Sequence, residues 1–182
     1  MNLFLIVADI EANDDLHLGR LLILLKAFAG KQQNGAIDGL DKLAELDFFL
    51  RYPVYLERSL PVRGKSSDKA DVKDYERQSI EANTAYYSYK PWSVEYRRFI
   101  SILVAKDLVS LDFETNIIKV TLSRKGSEVA NSLSKKQSHS IIEQRASLLK
   151  QNFNLSPRNL ITFIYENFPE TETFRVTGDQ TL

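Results

Sequence analysis

Between Asp14 and Gly30 the chain carries Leu16, Leu18, Leu21, Leu22, Ile23, Leu25 and Phe28. These residues recur at helical spacing but fill nearly the whole circumference of the helix instead of one stripe. A helix of that kind belongs in the middle of a fold, with later elements packed on several of its sides. Asp14 or Asp15 can cap its start and Gly30 ends it. Covering such a helix takes a good deal of other chain. A length of 182 residues with 43% apolar side chains is enough for one domain, or one domain plus a small appendage.

The covering elements can be placed in order. Leu3 to Val7 is a short aliphatic run, read as a strand or a packing arm. Ile37 is followed by Asp38 as a cap and by Leu40, Leu43, Leu46, Phe49 and Leu50, which predict a second, amphipathic helix. Pro53 interrupts it, because proline disfavours helix at the preceding residue, and Tyr55, Leu56 and Leu60 continue as a short helix before Pro61. Residues 62 to 83 are rich in Lys, Asp and Ser and read as a solvated loop with a short exposed helix, disordered in the isolated chain. An aromatic cluster, Tyr86, Tyr87, Tyr89 and Trp92, closes that segment.

Ser93 caps a third helix whose buried face is Tyr96, Phe99, Ile100, Ile102 and Leu103, with Glu95, Arg97, Arg98 and Ser101 on the other side. Leu108 to Phe113 and Asn116 to Leu122 alternate with period two around a Glu114, Thr115, Asn116 turn, the pattern of a two-stranded hairpin. Ser123 caps a further helix, and Gly126 in its first turn allows close approach to the hairpin. From Ser138, Ile141, Ile142, Ala146, Leu148 and Leu149 mark another helix. Ser156 and Pro157 open a last one through Leu160, Ile161, Phe163, Ile164 and Phe168, ended by Pro169.

Helix, helix, helix, two-stranded wing, helix is the order of a winged helix-turn-helix. The fold class expected is mainly α with a small β-hairpin wing, carrying an insertion and additional C-terminal helices. The division expected is a winged-helix domain at 1–137 with a charged insertion at about 61–90, a C-terminal helical extension at 138–169 and a flexible tail at 170–182. The stretch Val94 to Leu133, with its run FISILVAKDLVSLDFETNIIKVTLSRKGSEVANSL, resembles the second half of the winged domains in MarR- and PadR-like regulators. Such domains join their second and third helices by a few residues, whereas here about 40 intervene, from Arg51 to Pro91.

Several functions are excluded on chemistry. With no cysteine, zinc fingers, thiol nucleophiles and disulfides are absent together, which fits a reducing compartment, the cytoplasm. Met1 to Ile10 is apolar but lacks a basic n-region and reaches Asp9 and Glu11 too soon for a signal peptide or a spanning helix, so no membrane partner is expected. His17 and His139 stand far apart with no carboxylate at metal-ligand spacing, and His17 reads as a surface residue at a helix start. Gly30-Lys31 lacks the remainder of a phosphate-binding loop. Asp9, Glu11, Asp14 and Asp15 form a solvated acidic patch, and Asp112 with Glu114 are ordinary strand-surface carboxylates. Neither an enzyme, a cofactor nor a metal site is expected.

Binding is what remains. Lys plus Arg and Asp plus Glu number 24 each, so net charge is zero and any contact with double-stranded DNA must come from a local patch. In a DNA reader the third helix would present Arg97 and Arg98, and the wing would bring Lys119, Arg124 and Lys125 to the phosphates. Against this, the helix offers few side chains for base edges, and Glu95 repels phosphate. Tyr86, Tyr87, Tyr89 and Trp92, with Phe163, Tyr165 and Phe168 of the last helix, are candidates for a partner interface. The competing readings are that the first four seal the core edge and that the last helix folds back on its own domain.

Leu16 to Gly30 followed by GLDKLAELDFFLRYPVYLERSL, Gly39 to Leu60, together with the wing and the closing LITFIYENFPE, Leu160 to Glu170, is similar to the middle components of bacterial ABC-three-component systems. These are small subunits encoded beside an SMC/Rad50-like ATPase and an effector, of nuclease or other type; the Lamassu anti-phage and anti-plasmid systems are the best-known group. The resemblance implies a non-catalytic subunit that joins the ATPase heads and helps hold the effector silent until foreign DNA is sensed. The alternative is a transcriptional regulator of winged-helix type, a homodimer that binds a specific duplex by itself.

Overall fold

The structure is a computed structural model and describes residues 14–31, 35–78, 94–113 and 117–170. Helix α1 (Asp14–Ala29) is buried around its circumference: Leu21, Ile23 and Leu24 have no exposed surface, and Leu18, Leu22, Leu25 and Phe28 very little. At ~1.5–3 kcal/mol for each fully buried large apolar side chain, this helix supplies a large share of the burial that offsets chain entropy.

A two-residue strand, β1 (Ile37–Asp38), follows, then α2 (Leu40–Arg51) and α3 (Pro53–Val62). Asp38 is therefore a strand residue and not a helix cap. The N-cap of α2 is Gly39, at φ 96°, a left-handed conformation open to glycine. Pro53 sits at the first position of α3, where its missing N–H costs nothing, so it begins that helix, and Pro61 falls inside the last turn. Helix α2 is as enclosed as α1, with every residue from Lys42 to Leu50 buried.

After α3 come a single 3₁₀ turn (Ser67–Ala70) and the short α4 (Asp74–Arg77). Further along the chain, α5 (Val94–Ala105) leads into β2 (Val109–Asp112), β3 (Lys119–Leu122) and α6 (Arg124–Ser134). A second 3₁₀ turn (Gln137–His139), α7 (Ser140–Asn152) and α8 (Pro157–Asn167) complete the described chain. The described residues are thus mainly helical with one small antiparallel sheet. That sheet has three strands in the order β1-β3-β2, one more than the expected hairpin. Ile37 pairs with Val120 and Asp38 with Lys119, while Val109 to Asp112 run against Leu122 to Lys119.

Helix α1 packs on α2, α5, α6, α7 and β3, the several-sided contact its sequence requires. Leu149, Phe153, Leu160, Ile164 and Phe168, from α7, α8 and the turns that end them, lie in the same core cluster as α1 and α2. Polar anchors reinforce the joints. Lys26 of α1 pairs with Glu143 of α7 at 2.6 Å, and Lys150 donates to the Phe28 carbonyl at the C-terminal end of α1, where a cation is favoured.

The start of α6 is seated on the turn that leads into the hairpin. Ser123 caps α6 by accepting from the Gly126 N–H at 2.9 Å, while its own hydroxyl donates to the Asp107 carbonyl at 2.6 Å and its N–H to the Leu108 carbonyl at 3.1 Å. A Cβ at Gly126 would stand 1.8 Å from the Leu108 oxygen, so the close approach is open only to glycine.

The charged segment after α3 departs from the solvated loop expected of it. Within its described part Ala70 and Val72 are buried, and Arg145 of α7, only 3% exposed, grips it. Arg145 donates to the Ala70 carbonyl (2.8 Å), the Asp71 carbonyl (2.9 Å) and both Glu76 carboxylate oxygens (2.7 Å each). Gln144 adds a bond to the Lys69 carbonyl at 3.1 Å. Burial works to raise the Glu76 pKa, but the Arg145 bonds and the Lys73 backbone N–H outweigh it and hold the carboxyl below its ordinary value.

Candidate interaction surface

A DNA-reading face would be built from the outer side of α5, the β2–β3 hairpin and the start of α6. Behind α5 lies a polar knot absent from the sequence-based expectations. His17 is 7% exposed, not a surface residue, and its ring stacks on Phe99 at 4.9 Å. Arg20, next to it, makes a two-pronged ion pair with Asp47 of α2 at 2.6 and 2.9 Å. Burial alone would lower the Arg20 pKa, but the Asp47 carboxylate outweighs it and keeps the guanidinium charged. Burial, and then the Asp47 charge, push the Tyr96 hydroxyl pKa well above its ordinary value. The knot fixes α5 to α1 and α2 from behind. Arg20 and Asp47 interrupt two otherwise apolar helix faces with opposite charges, a signal that was present in the sequence.

In front, Arg98, Arg124 and Lys125 bond to groups of their own chain. Arg98 grips Asp14 with two bonds of 2.5 and 2.6 Å and lies over the Phe99 ring; its hydrogen bonds hold the Asp14 carboxyl below the ordinary range. Strand register places Asp38 and Asp112 opposite Lys119 on its two neighbouring strands, an acidic setting for that residue. Arg124 faces Glu128 one turn on at 3.3 Å, and Lys125 donates to the Lys106 carbonyl at 2.8 Å. Arg97 is exposed on α5. Around it the exposed face carries Ser101, Val104 and Ala105, none of them a donor pair for base edges.

Toward its tip the hairpin is apolar: Phe113 is 66% and Ile117 47% exposed. The sequence singles out neither, since strand alternation alone does not say which ends stand clear of the core.

Of the aromatic candidates, Tyr86, Tyr87, Tyr89 and Trp92 lie outside the described residues. Phe163 is partly buried against Phe153 at 5.4 Å, and Tyr165 is partly buried. Phe168 is a correction: at 1% exposure it is core, packed edge-on against Tyr55 at 5.1 Å with Arg58 over its ring at 4.7 Å, so it offers a partner nothing. The last helix folds back on its own chain through Leu160 and Ile164.

Among the described residues no group of three or more His, Asp or Glu side chains is placed to hold a metal ion, and no helix is long and apolar enough to cross a membrane. Comparison with models of protein families, with curated proteins and with solved structures returns no match to this chain.

Proposed function

We propose that the chain is a non-catalytic, cytoplasmic winged-helix adaptor that works through protein contacts, as a subunit of an SMC-like ATPase defence complex. The strand between the first two helices, paired to the second strand of the hairpin, supports the winged-helix reading. The observation that carries the adaptor over the regulator is the condition of the face that would meet DNA. Arg98, Lys119, Arg124 and Lys125 point to or lie between groups of their own chain, while Ser101, Val104, Phe113 and Ile117 present small or apolar surface. Cations already engaged within the chain or set among carboxylates attract phosphate less, and protein interfaces favour exposed apolar side chains. The ATPase and the effector as partners rest on the sequence resemblance at Gly39 to Leu60 and Leu160 to Glu170.

The test is affinity purification of the tagged protein from its native host, with mass spectrometry and a parallel nuclease-treated sample. A large coiled-coil ATPase retained after nuclease is the expected result. Recovery of the protein alone, together with salt-sensitive binding of one duplex sequence, would establish the regulator instead.

A further inference from the structure

The start of β3, the N-terminus of α2 and the N-terminus of α8 enclose a groove of about 400 Å³, lined chiefly by Gly39, Leu40, Ile117, Ile118, Pro157 and Arg158. Its walls are fixed by the Gly39 N–H, which donates to the Ile118 carbonyl at 2.8 Å. Gly39 and Pro157 face each other across the groove, since a Cβ on Gly39 would stand in ordinary contact with the Pro157 ring at 3.5 Å. The lining is apolar apart from its rim, and the exposed Ile117 and Phe113 extend that surface along the hairpin. A volume of this size accommodates a few apolar side chains, at the lower end of the range of ligand pockets.

The charge at the rim narrows the occupant. Arg158 is exposed and makes no hydrogen bond or ion pair among the described residues, and the first turn of α2 has no side-chain cap. Asp41, the one acidic lining residue, is already engaged in an interaction of its own. Nucleic acid does not fit, because apolar walls cannot replace phosphate hydration and Asp38, Asp41 and Asp112 stand close by in sequence and register. We infer that this groove receives a short apolar polypeptide segment of a partner protein, carrying a carboxylate side chain that pairs with Arg158. The inference rests on the adaptor reading and names the chemistry of what one of its surfaces binds.

The test uses the full chain as bait for a random dodecapeptide display library, with Ile117→Asp as counter-bait, followed by fluorescence anisotropy of the enriched peptides. The expected peptides combine two or more large apolar residues with Asp or Glu. Their affinity should fall at least ten-fold for Ile117→Asp and for Arg158→Glu, and exchanging the peptide acid for lysine should restore binding to Arg158→Glu. Both positions are exposed, so matching thermal unfolding of the variants shows that the fold is intact. Enrichment of peptides without an acid, affinities unchanged by either substitution, or no enrichment over the counter-bait overturns the inference. The co-purified ATPase is read independently, so loss of this site leaves the adaptor assignment standing, and loss of the ATPase leaves the peptide result interpretable.

Discussion

Replacing Gly126 by alanine should destabilise the protein, although the same change in an ordinary helix position would stabilise it. Alanine is favoured over glycine inside a helix by about 1 kcal/mol. At Gly126, however, the new Cβ would lie 1.8 Å from the Leu108 carbonyl oxygen, more than an ångström inside contact distance, and both groups are backbone. Helix α6 or the turn at Asp107 and Leu108 must move. Movement weakens the Ser123 N–H bond to Leu108 and the Ser123 cap on Gly126, together ~2 kcal/mol, and adds ~1–3 kcal/mol of overpacking. Net of the propensity gain, the loss is about 2–4 kcal/mol. Gly19 is the internal control: a Cβ there meets only the Leu133 Cδ1 at 3.8 Å, ordinary contact, so Gly19→Ala should gain up to ~1 kcal/mol. Denaturant unfolding of both variants against wild type measures this directly. Equal shifts of the same sign, or a more stable Gly126→Ala protein, would refute the argument that α6 is seated on the Leu108 carbonyl.

Arg145→Met should cost ~3 kcal/mol, because it leaves the Glu76 carboxylate and two carbonyls without their donor. Hydrogen exchange should show amides 66–78 protected in the free wild-type protein and opened selectively in the variant. Since folding depresses the Glu76 pKa below the ordinary 4.5, its contribution is present above that pH and is lost as pH falls through the folded value. The stability gap between wild type and Arg145→Met should therefore narrow on acidification from pH 7 to pH 3, and a gap constant across that range would contradict the assignment. Phe168→Ala should cost ~3–5 kcal/mol as a core truncation, whereas Phe113→Ala should change thermal stability by less than ~0.5 kcal/mol. Arg124→Ala with Lys125→Ala should leave affinity for random duplex DNA, and its salt dependence, within two-fold of wild type in a gel-shift titration.

The central helix was legible because apolar residues on all sides of Leu18 to Phe28 admit one environment; Leu16, at 49% exposure, is the exception. The hairpin was legible from its period of two. The strand β1 was not, since two residues carry no periodicity and Ile37-Asp38 is equally a helix start. Arg145 was legible in principle: it falls on the Ile142, Ala146, Leu149 stripe of α7, and a charge on a buried stripe demands a partner. That the partner is the charged segment near Ala70 to Glu76 is a long-range fact with no local sign. The same holds for the basic face. Residue types marked Arg98 and Lys119 as phosphate contacts, but Asp14, which pairs with Arg98, and the acidic strand neighbours of Lys119 are set by tertiary register. Phe168 illustrates the reverse error, an aromatic near a chain end whose position beside Tyr55 and Phe49 only the folded chain reveals.

The all-round burial of α1 has a consequence for synthesis. Helix α1 precedes the elements that pack on it, and α7, which covers one of its flanks, begins about 110 residues after α1 ends. At roughly 5–20 residues per second the interval is about 5–20 s. Throughout it, the flank of α1 that α7 covers stays without its native neighbour, longer than hydrophobic collapse takes by several orders of magnitude. The nascent chain is therefore a client for a holding chaperone, and a chain cut after residue 137 should retain that dependence permanently, accumulating in the insoluble fraction where the full chain does not.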